Sequence, residues 1–349
     1  MSDTIQNGGA RGPRISDVAQ AAGVSTATVS RVLSRPDLVS TETRDKVLAA
    51  VSRTDYRINH AARNLRRRQT GSIIVLVPYL SNPFFSLILS SIARVASQEG
   101  INVLVVDTQE PRGAEQQLQH YLDDNRADGL IVLDASLPVD AFSGARRPPA
   151  VFACEWVEDH DSPSVRIDNR LGAVMAVEHL IALGHTKIGH LMGPSANILT
   201  IQRAAGVRDA LQAANLAVDE RWFLSGDFTL ASGVEGARQW LGLAERPTAI
   251  FCASDAMAFG FISELHRHDL SVPDDVSVVG FDDIDIAANF IPPLTTIHQP
   301  RADIGETAIR MLISLIGPKD AEKPAGQAAS QSLPVSLIAR GSTARLRPV

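Results

Sequence analysis

The chain has 349 residues, a length typical of two or three domains, and 45% of them are hydrophobic, enough for a large buried core. It contains no run of about 18 apolar residues, so we expect no membrane-spanning helix. Residues 1–13 are polar and glycine-rich, which predicts a disordered tail, not a secretory signal, and hence a cytoplasmic protein. The two cysteines, Cys154 and Cys252, lie in apolar strand-like runs and are expected to be buried thiols, since no Cys/His spacing suits zinc.

Charge is distributed unevenly along the chain. The net charge is −6, but residues 1–70 contain twelve Arg or Lys and only six Asp or Glu. The first fifth of the chain is therefore basic and the remainder acidic. This distribution is typical of a nucleic-acid-binding headpiece attached to a larger domain.

Three short helices are predicted between residues 14 and 57. Apolar residues recur at helical spacing in the first, which we assign to Ile15, Val18, Ala19 and Ala22. Gly23 then suits the tight turn of a helix-turn-helix, and Ser25 is a good N-cap for a second helix over Thr26–Leu33. Ser40 is expected to cap a third helix. Its apolar face is predicted to consist of Val47, Leu48 and Val51.

The second helix has two distinct faces. The inward stripe is predicted to consist of Val29, Val32 and Leu33. Thr26, Ala27 and Arg31 are left facing outward. The N-terminal cap can approach a phosphate through free backbone N–H groups, and Arg31 can donate two parallel hydrogen bonds to a guanine edge. A solvated surface charge is the alternative for Arg31, and a protein-interaction module is the alternative for the three helices.

Residues 14–71 resemble the lac repressor family of transcription regulators. The stretches that carry the resemblance are Ile15–Ala19, Gly23–Leu33 and Val39–Arg44. The resemblance extends over the whole chain and implies a repressor that reads bases in the major groove through Thr26, Ala27 and Arg31. The full set of candidate DNA contacts in the headpiece is Ser25, Thr26, Ala27, Thr28, Ser30 and Arg31.

Residues 58–71 are predicted to form a hinge helix and linker. Asn59–Leu65 resembles the family's hinge segment, in which the candidate DNA contacts are Asn59, Ala62, Arg63 and Leu65. Leu65 is a large apolar side chain in a basic stretch. It either packs against its own headpiece or the partner's hinge, or is inserted as a wedge into the minor groove. The resemblance favours the wedge, at a central CG step of a pseudo-palindromic operator. Ile58 replaces the family's usual proline, and so short a helix is expected to order only on DNA.

From Ser72 onward, apolar strands alternate with amphipathic helices. The predicted strands are Ile73–Val77, Asn102–Asp107, Gly129–Leu133, Ala150–Cys154, Ile188–Met192, Ala249–Ala253 and Val276–Phe281. The predicted helices are Phe84–Glu99, Ala114–Asp124, Leu171–Leu183, Arg203–Ala214 and Asp255–Arg267. This alternation predicts an α/β domain of doubly wound parallel sheets in two lobes, with a ligand cleft at the carboxyl ends of the strands.

The resemblance implies a sensor similar to the periplasmic sugar-binding proteins, with lobes that exchange strands. The first lobe is expected over about 72–160 plus 295–330. The second is expected over about 161–294 plus 331–345, with a final strand near Val335–Gly341.

Cleft residues are predicted from the carboxyl ends of the strands. Phe84 and Phe85 can form the floor of a pocket. The carboxylate of Glu155 and the indole of Trp156 suit a ligand with a polar ring or a sugar. The remaining polar candidates are Asp168, Arg203, Ser254 and Asp282. A charged group at a strand end can instead cap the next helix. The resemblance implies that Arg203 and Asp282 contact the ligand.

Ser225–Thr229 resembles the branch of the family that contains the purine and cytidine repressors, in which the residue matching Phe228 lies against a base. A flat aromatic ring suits a nucleobase, but it also suits the apolar face of a sugar. The purine repressors have an arginine where Asn197 stands, which favours a nucleoside over a free purine. The expected effector is therefore nucleoside-like, with a sugar as the alternative.

The sequence also predicts what the chain does and does not bind. The strand–helix turns lack a GxGxxG or GxxxxGK[ST] phosphate loop, and no GxSxG elbow is present, so we expect neither an enzyme nor a cofactor. A periplasmic binding protein would lack residues 14–71. A homodimer is expected because one headpiece reads only half of an operator. The predicted partners are double-stranded DNA and a small-molecule effector.

Overall fold

The computed structural model describes residues 13–34, 38–56, 70–108, 127–138, 142, 147–158, 162–317 and 330–347. The chain divides into two compact units, Met1–Arg68 and Gln69–Val349. None of the helices in these ranges is long and apolar enough to cross a membrane.

The first unit contains the three predicted helices, α1 (Ile15–Ala22), α2 (Thr26–Ser34) and α3 (Thr41–Thr54). Gly23 adopts the left-handed conformation expected of the turn, with φ of 67°. Ser25 Oγ accepts the Thr28 N–H at 3.1 Å, as expected of the N-cap of α2. Ser40 stands at the N-cap of α3, but its hydroxyl donates to Thr43 Oγ1 and makes no capping bond.

The headpiece core is small. It consists of Val18, Ala19, Val29, Val32, Val47 and Ala50. The prediction that Leu48 lies on the apolar face of α3 is wrong, because this side chain is 48% exposed. The inward stripe follows the i, i+3 spacing from Val47 to Ala50, and a one-residue step turns Leu48 about 100° away from it.

Two six-stranded sheets form the second unit, each in its own lobe. The strands of the first are β1 (Ser72–Val77), β2 (Asn102–Asp107), β3 (Gly129–Val132), β4 (Ala150–Ala153), β5 (Ser164–Ile167) and β11 (Gln331–Leu333). Those of the second are β6 (Ile188–Leu191), β7 (Phe223–Leu224), β8 (Ala249–Cys252), β9 (Ser277–Asp282), β10 (Thr295–His298) and β12 (Ser336–Ile338). The first sheet runs in the order β11-β5-β4-β3-β1-β2 and the second in the order β12-β10-β9-β8-β6-β7. Among the strands of the described ranges, only β12 is antiparallel, and it pairs with β10.

Six described helices cover the sheets: α4 (Phe84–Gln98), α5 (Asn169–Ala182), α6 (Ile198–Ala213), α7 (Leu230–Gly242), α8 (Asp255–Arg267) and α9 (Arg301–Ile316). They pack in pairs, α4 with α9, α5 with α6 and α7 with α8. The α7–α8 pair approaches closely because Gly233 faces the backbone of Met257 and Gly260 faces that of Leu230, where a Cβ would overlap.

Several elements of the second unit were not predicted. These are β5, β7, β10 and β11, together with the helices α7 and α9. A strand of two to four residues is too short to show a period of its own. The helix containing Arg203 also begins earlier than predicted, at Ile198, because Asn197 caps it. The predicted helix Ala114–Asp124 lies outside the described residues.

The strand pairing corrects the expected lobe boundaries. The predicted boundaries assign β5 and β11 to the second lobe, but both belong to the first sheet. They also assign β10 to the first lobe, whereas β10 pairs with β9 in the second sheet. The chain therefore crosses between the lobes after Ile167, between His298 and Arg301, and between Leu333 and Ser336. The final strand, β12, lies in the second sheet as expected.

Candidate functional site

A cleft of about 680 Å³ lies between the two lobes of the second unit, at the carboxyl ends of the strands. Its size falls in the range of small-molecule sites. Eight of the nine predicted ligand residues line it: Phe84, Phe85, Glu155, Trp156, Arg203, Phe228, Ser254 and Asp282. The cleft therefore lies at the carboxyl ends of the strands, as predicted from the sequence.

Asp168 is the ninth predicted residue, and it does not line the cleft. Its side chain is exposed, and its Oδ1 accepts the Leu171 N–H at 2.8 Å as the N-cap of α5. The helix-capping alternative is the correct one here, because the first-turn N–H groups of a helix lack intrahelical partners. The adjacent Asn169 lines the cleft in its place.

Arg203 supplies a fixed positive charge to the cleft. It is buried on the second turn of α6, where its Nε donates to Asn169 Oδ1 at 2.9 Å and its Nη1 donates to the Ala253 carbonyl. The guanidinium carbon lies 3.7 Å from the ring centre of Phe281 and 5.8 Å from that of Phe228. Burial lowers the pKa of Arg203 to about 10, opposed by the charge of Asp282, so the group stays protonated.

Asp282 is a buried carboxylate at the end of β9. Its Oδ1 accepts a hydrogen bond from Gln299 Nε2 at 2.7 Å. Burial raises the pKa of Asp282 to about 6, and the nearby charge of Arg203 opposes that rise. The carboxylate is therefore mostly ionised at neutral pH, but only at an energetic cost that its neighbours partly offset.

Three residues of the cleft have a backbone conformation with positive φ. Cys154, Phe228 and Asp282 line it with φ values of 66°, 68° and 122°. Non-glycine residues in such conformations cost about 1–3 kcal/mol each and persist only where the surrounding structure holds them. Cys154 and Cys252 are both buried thiols, as predicted, and burial raises the pKa of each.

The ring of Phe228 packs directly against a glycine of the same lobe. It lies so close to Gly193 that a Cβ there would overlap the ring. Ser254 Oγ donates to the Phe228 carbonyl at 3.4 Å, and the same hydroxyl caps α8 by accepting the Met257 N–H at 3.2 Å. The loop therefore presents an aromatic ring to the cleft in one fixed position.

The first lobe contributes Glu155 and Trp156. Glu155 is buried, and its Oε2 accepts the Ala135 N–H at 2.9 Å. Burial raises the pKa of Glu155, and the hydrogen bonds from the Ala135 backbone and the Asn197 side chain oppose that rise. Trp156 is half-buried, and the guanidinium of Arg166 lies 4.5 Å from its ring centre. One face of the indole is therefore occupied by Arg166.

In the headpiece, the outward face of α2 is exposed as predicted. Its exposed candidates are Ser25, Thr26, Ala27, Ser30 and Arg31. Thr28 is half-buried, and its hydroxyl lies 2.9 Å from Ser25 Oγ. The hinge candidates Asn59, Ala62, Arg63 and Leu65 lie outside the described residues.

Comparison with known proteins identifies the family. Residues 14–59 match the bacterial regulatory proteins of the lacI family, and residues 177–343 match a periplasmic binding protein-like domain. The HTH-type transcriptional repressor CytR of Escherichia coli (strain K12) is 38% identical over 335 residues, which cover 95% of this chain and 96% of that protein. The chain belongs to the LacI family.

Further relatives agree with this assignment. The HTH-type transcriptional repressor PurR of Photobacterium profundum is 36% identical over 312 residues, covering 88% of this chain and 93% of that protein. The solved lac repressor dimer bound to operator and the anti-inducer ONPF has a TM-score of 0.78 and 32% identity, covering 96% of this chain and 100% of that one. This LacI-family chain is a DNA-binding transcription regulator with a small-molecule sensor, which confirms the predicted family and fold class.

Several polar residues of the cleft in this LacI-family regulator were not predicted from the sequence: Tyr79, Asp134, Ser136, Asn169 and Gln299. Asp134 follows β3, so the strand-end rule that found Glu155 applies to it equally. Gln299 follows β10, which the sequence did not reveal. No group of three or more metal-ligating side chains is found within the part of the chain that the structure describes.

Proposed function

We propose that this regulator is a homodimeric repressor whose operator affinity is controlled by a nucleoside bound in the interlobe cleft. The observation that carries the proposal is the ring of Phe228, held in a strained loop beside the buried pair Arg203 and Asp282. The base would stack on Phe228, and the two charged groups would hold the polar edge of the base or the ribose hydroxyls. Phe84 or Phe85 is the expected ring on the opposite side.

The charge of the cleft favours a nucleoside over its phosphate. Among the described lining residues, five carry carboxyl groups and one carries a guanidinium. The carboxyl groups belong to Asp134, Glu155, Glu158, Asp227 and Asp282. A phosphate would meet like charges in a site that excludes part of the water, where such repulsion is weakly screened. A neutral ligand with several hydroxyl or amino groups meets acceptors instead.

The headpiece is proposed to read the operator through the exposed face of α2, with Thr26, Ala27 and Arg31 at base edges and the cap at Ser25 on a phosphate. Since one headpiece reads a half-site, a second copy of the chain is required for a pseudo-palindrome. The solved lac repressor dimer on its operator, which covers nearly the whole chain, supports this arrangement. The hinge segment with Leu65 is proposed to bind the operator centre.

The effector is proposed to leave the cleft chemically unchanged. Four of the five described carboxyl groups of the cleft accept hydrogen bonds from backbone, amide or hydroxyl donors, for example Glu155 from Ala135 and Asp282 from Gln299. Incubating the protein with each bound nucleoside and analysing the products by chromatography tests this point. Accumulation of free base or of a deaminated product would contradict it.

Calorimetric titration of the full-length protein tests the effector class. The ligands are cytidine, adenosine, their free bases, cytidine monophosphate, ribose and a hexose. We expect at least one nucleoside to bind and the monophosphate to bind at least about tenfold more weakly. Tight binding of ribose or the hexose with no binding of any nucleoside would instead assign Phe228 to a sugar pocket.

A substitution series at Phe228 isolates the stacking contribution. Base–aromatic stacking contributes on the order of 1–3 kcal/mol, so Phe228→Ala should weaken the nucleoside about tenfold or more. Phe228→Leu retains apolar bulk without a flat ring and should lose nearly as much, whereas Phe228→Tyr should retain affinity. Operator binding without effector should be unchanged in all three. Equal affinity of the Leu and Phe proteins would show that burial alone, and not stacking, holds the ligand.

A further inference from the structure

A hydrogen bond joins the two lobes across the cleft. Asn197 Nδ2 donates to Glu155 Oε1 at 2.8 Å. Asn197 precedes α6 of the second lobe, and Glu155 follows β4 of the first. The two residues both line the cleft and lie 42 positions apart in the chain. This bond therefore exists only when the lobes are close together.

The side chain of Asn197 is oriented by its own helix. Its Oδ1 accepts the Leu199 N–H at 2.8 Å as the N-cap of α6, and its backbone N–H donates to the Pro194 carbonyl at 3.0 Å. Because the amide oxygen is used by the cap, the NH₂ group must point away from the helix. The second lobe thus presents a hydrogen-bond donor, held rigidly, to the first lobe.

The acceptor is anchored equally firmly in the first lobe. Glu155 Oε2 accepts the Ala135 N–H from the loop that follows β3, which leaves Oε1 directed at Asn197. The carboxylate is buried, with a relative exposure of 8%. A hydrogen bond to an ionised group is stronger than one between neutral groups, so a donor that reaches this carboxylate only in the closed state favours closure.

We propose that Asn197 and Glu155 form an interlobe clasp that holds the sensor in its closed state and thereby sets the affinity for the effector. Opening the cleft withdraws the Asn197 donor from the buried carboxylate, so the clasp favours closure before any ligand arrives. An effector that is enclosed by both lobes binds the closed state, and its affinity rises with the population of that state. The part of the proposal that concerns effector affinity rests on the proposed function; the closure of the free protein does not.

The charge-swap pair Asn197→Asp and Glu155→Gln tests the clasp. Aspartate is as good an N-cap as asparagine, so Asn197→Asp keeps α6 capped while it replaces the donor by a carboxylate facing Glu155. Adding Glu155→Gln restores the bond with its polarity reversed, since glutamine can donate to the new carboxylate through Nε2 and accept the Ala135 N–H through Oε1. Asn197→Ser retains a capping oxygen but lacks the reach and the amide donor, and it introduces no charge.

Hydrogen exchange of the ligand-free, full-length protein measures closure directly. In Asn197→Asp and Asn197→Ser, amides of the cleft loops at residues 133–136 and 154–157 should exchange at least about tenfold faster, because opening exposes them. The double variant should return to within about threefold of the wild-type rate. Unchanged exchange in both single variants, or no recovery in the double variant, would overturn the clasp.

The effector arm uses the nucleoside that binds most tightly to the wild-type protein. Its dissociation constant should rise about tenfold in Asn197→Asp and recover in the double variant, in parallel with the exchange rates. If no nucleoside binds the wild-type protein, the proposed effector is wrong, and the exchange experiment still decides the clasp. If exchange changes as expected while the affinity of a bound nucleoside does not, closure is uncoupled from binding and the proposal fails.

Discussion

The headpiece carries its candidate DNA contacts on the exposed face of α2, above a core of six small or medium-sized apolar residues. The cleft places its candidate ligand contacts in the opposite environment, where Arg203 and Asp282 are 2% and 7% exposed. Apart from Ser25, which caps α2, the exposed contacts of the headpiece contribute little to folding and are free to serve recognition alone. The charged cleft residues lose hydration when the domain folds, and they must be compensated by specific partners such as Asn169 and Gln299.

This difference separates the expected consequences of mutation. Substitutions on the face of α2 should change DNA binding and leave stability nearly constant. Substitutions in the cleft should change effector binding and stability together, because strain and buried charge are maintained there by the rest of the domain. The two regions can therefore be distinguished by measuring binding and unfolding on the same variants.

The largest expected effect is the salt dependence of operator binding. A dimer that neutralises about six to ten phosphates should lose roughly 10³-fold in affinity between about 50 and 200 mM salt, because binding releases condensed counterions. Effector binding should hardly change over the same range, since the proposed ligand is neutral. Fluorescence anisotropy with a labelled operator and calorimetry with the nucleoside measure the two responses. A nearly flat salt dependence for DNA would contradict the assignment of the basic headpiece.

The next effect concerns the operator centre and depends on the sequence, since Leu65 lies outside the described residues. Leu65→Ala should reduce operator affinity at least about tenfold and reduce the DNA bend, while binding to non-specific DNA is retained. Leu38→Ala is the matched control, because Leu38 is another headpiece leucine and is 66% exposed. Gel mobility of circularly permuted operator fragments reports the bend. The wedge is excluded if Leu65→Ala binds and bends the operator as the wild type does.

A smaller effect is expected at the glycine behind Phe228. Gly193→Ala should displace the aromatic ring, because the added Cβ would overlap it, and weaken the nucleoside by about tenfold or less. Gly242→Ala makes the same change in the second lobe, at a position where the added Cβ meets no atom within 4 Å. Gly242→Ala should therefore leave effector affinity unchanged. A wild-type affinity in Gly193→Ala would show that the position of the ring is unimportant.

The smallest effect is on thermal stability. Because burial raises the pKa of Asp282 to about 6, folding disfavours its ionised form, and this group destabilises the protein above pH 6. Asp282→Asn removes the charge while Oδ1 can still accept from Gln299, so Tm should rise by about 2–4 °C at pH 7.5. As the pH falls through 6, wild-type Asp282 binds a proton and the difference in Tm should shrink.

Differential scanning calorimetry at about pH 7.5 and 5.0 checks the stability of Asp282→Asn, and titration checks its function. The same variant should bind the nucleoside at least about tenfold more weakly, because hydroxyl groups lose a charged acceptor in the closed cleft. A variant that is less stable than the wild type at both pH values would mean that the carboxylate stabilises the domain, contrary to the direction of its pKa.

The headpiece, the strand–helix alternation and most of the cleft were predictable from sequence because each depends on neighbouring residues. Ser25 caps α2 through Thr28, three positions away, and Phe84, Glu155 and Ser254 follow directly on apolar strands or turns. Asp168 shows the limit of this local reasoning. A carboxylate after a strand serves either a ligand or the next helix, and only its bond to Leu171 shows that it caps α5.

Sheet membership and the contacts between cleft residues were decided only by the tertiary structure, because they join residues far apart in the chain. The sheet to which β5, β10 and β11 belong is set by hydrogen bonds to strands that the local sequence does not specify, and each has only three or four residues. Gly193 lies behind Phe228 and Gln299 meets Asp282 only after the second lobe is formed, and Asn197 meets Glu155 only when the two lobes are close together. Local patterning determines which segments become helices or strands, because periodicity and capping act over a few residues. Packing decides which of their polar ends face one another, because burial and strand pairing join distant segments.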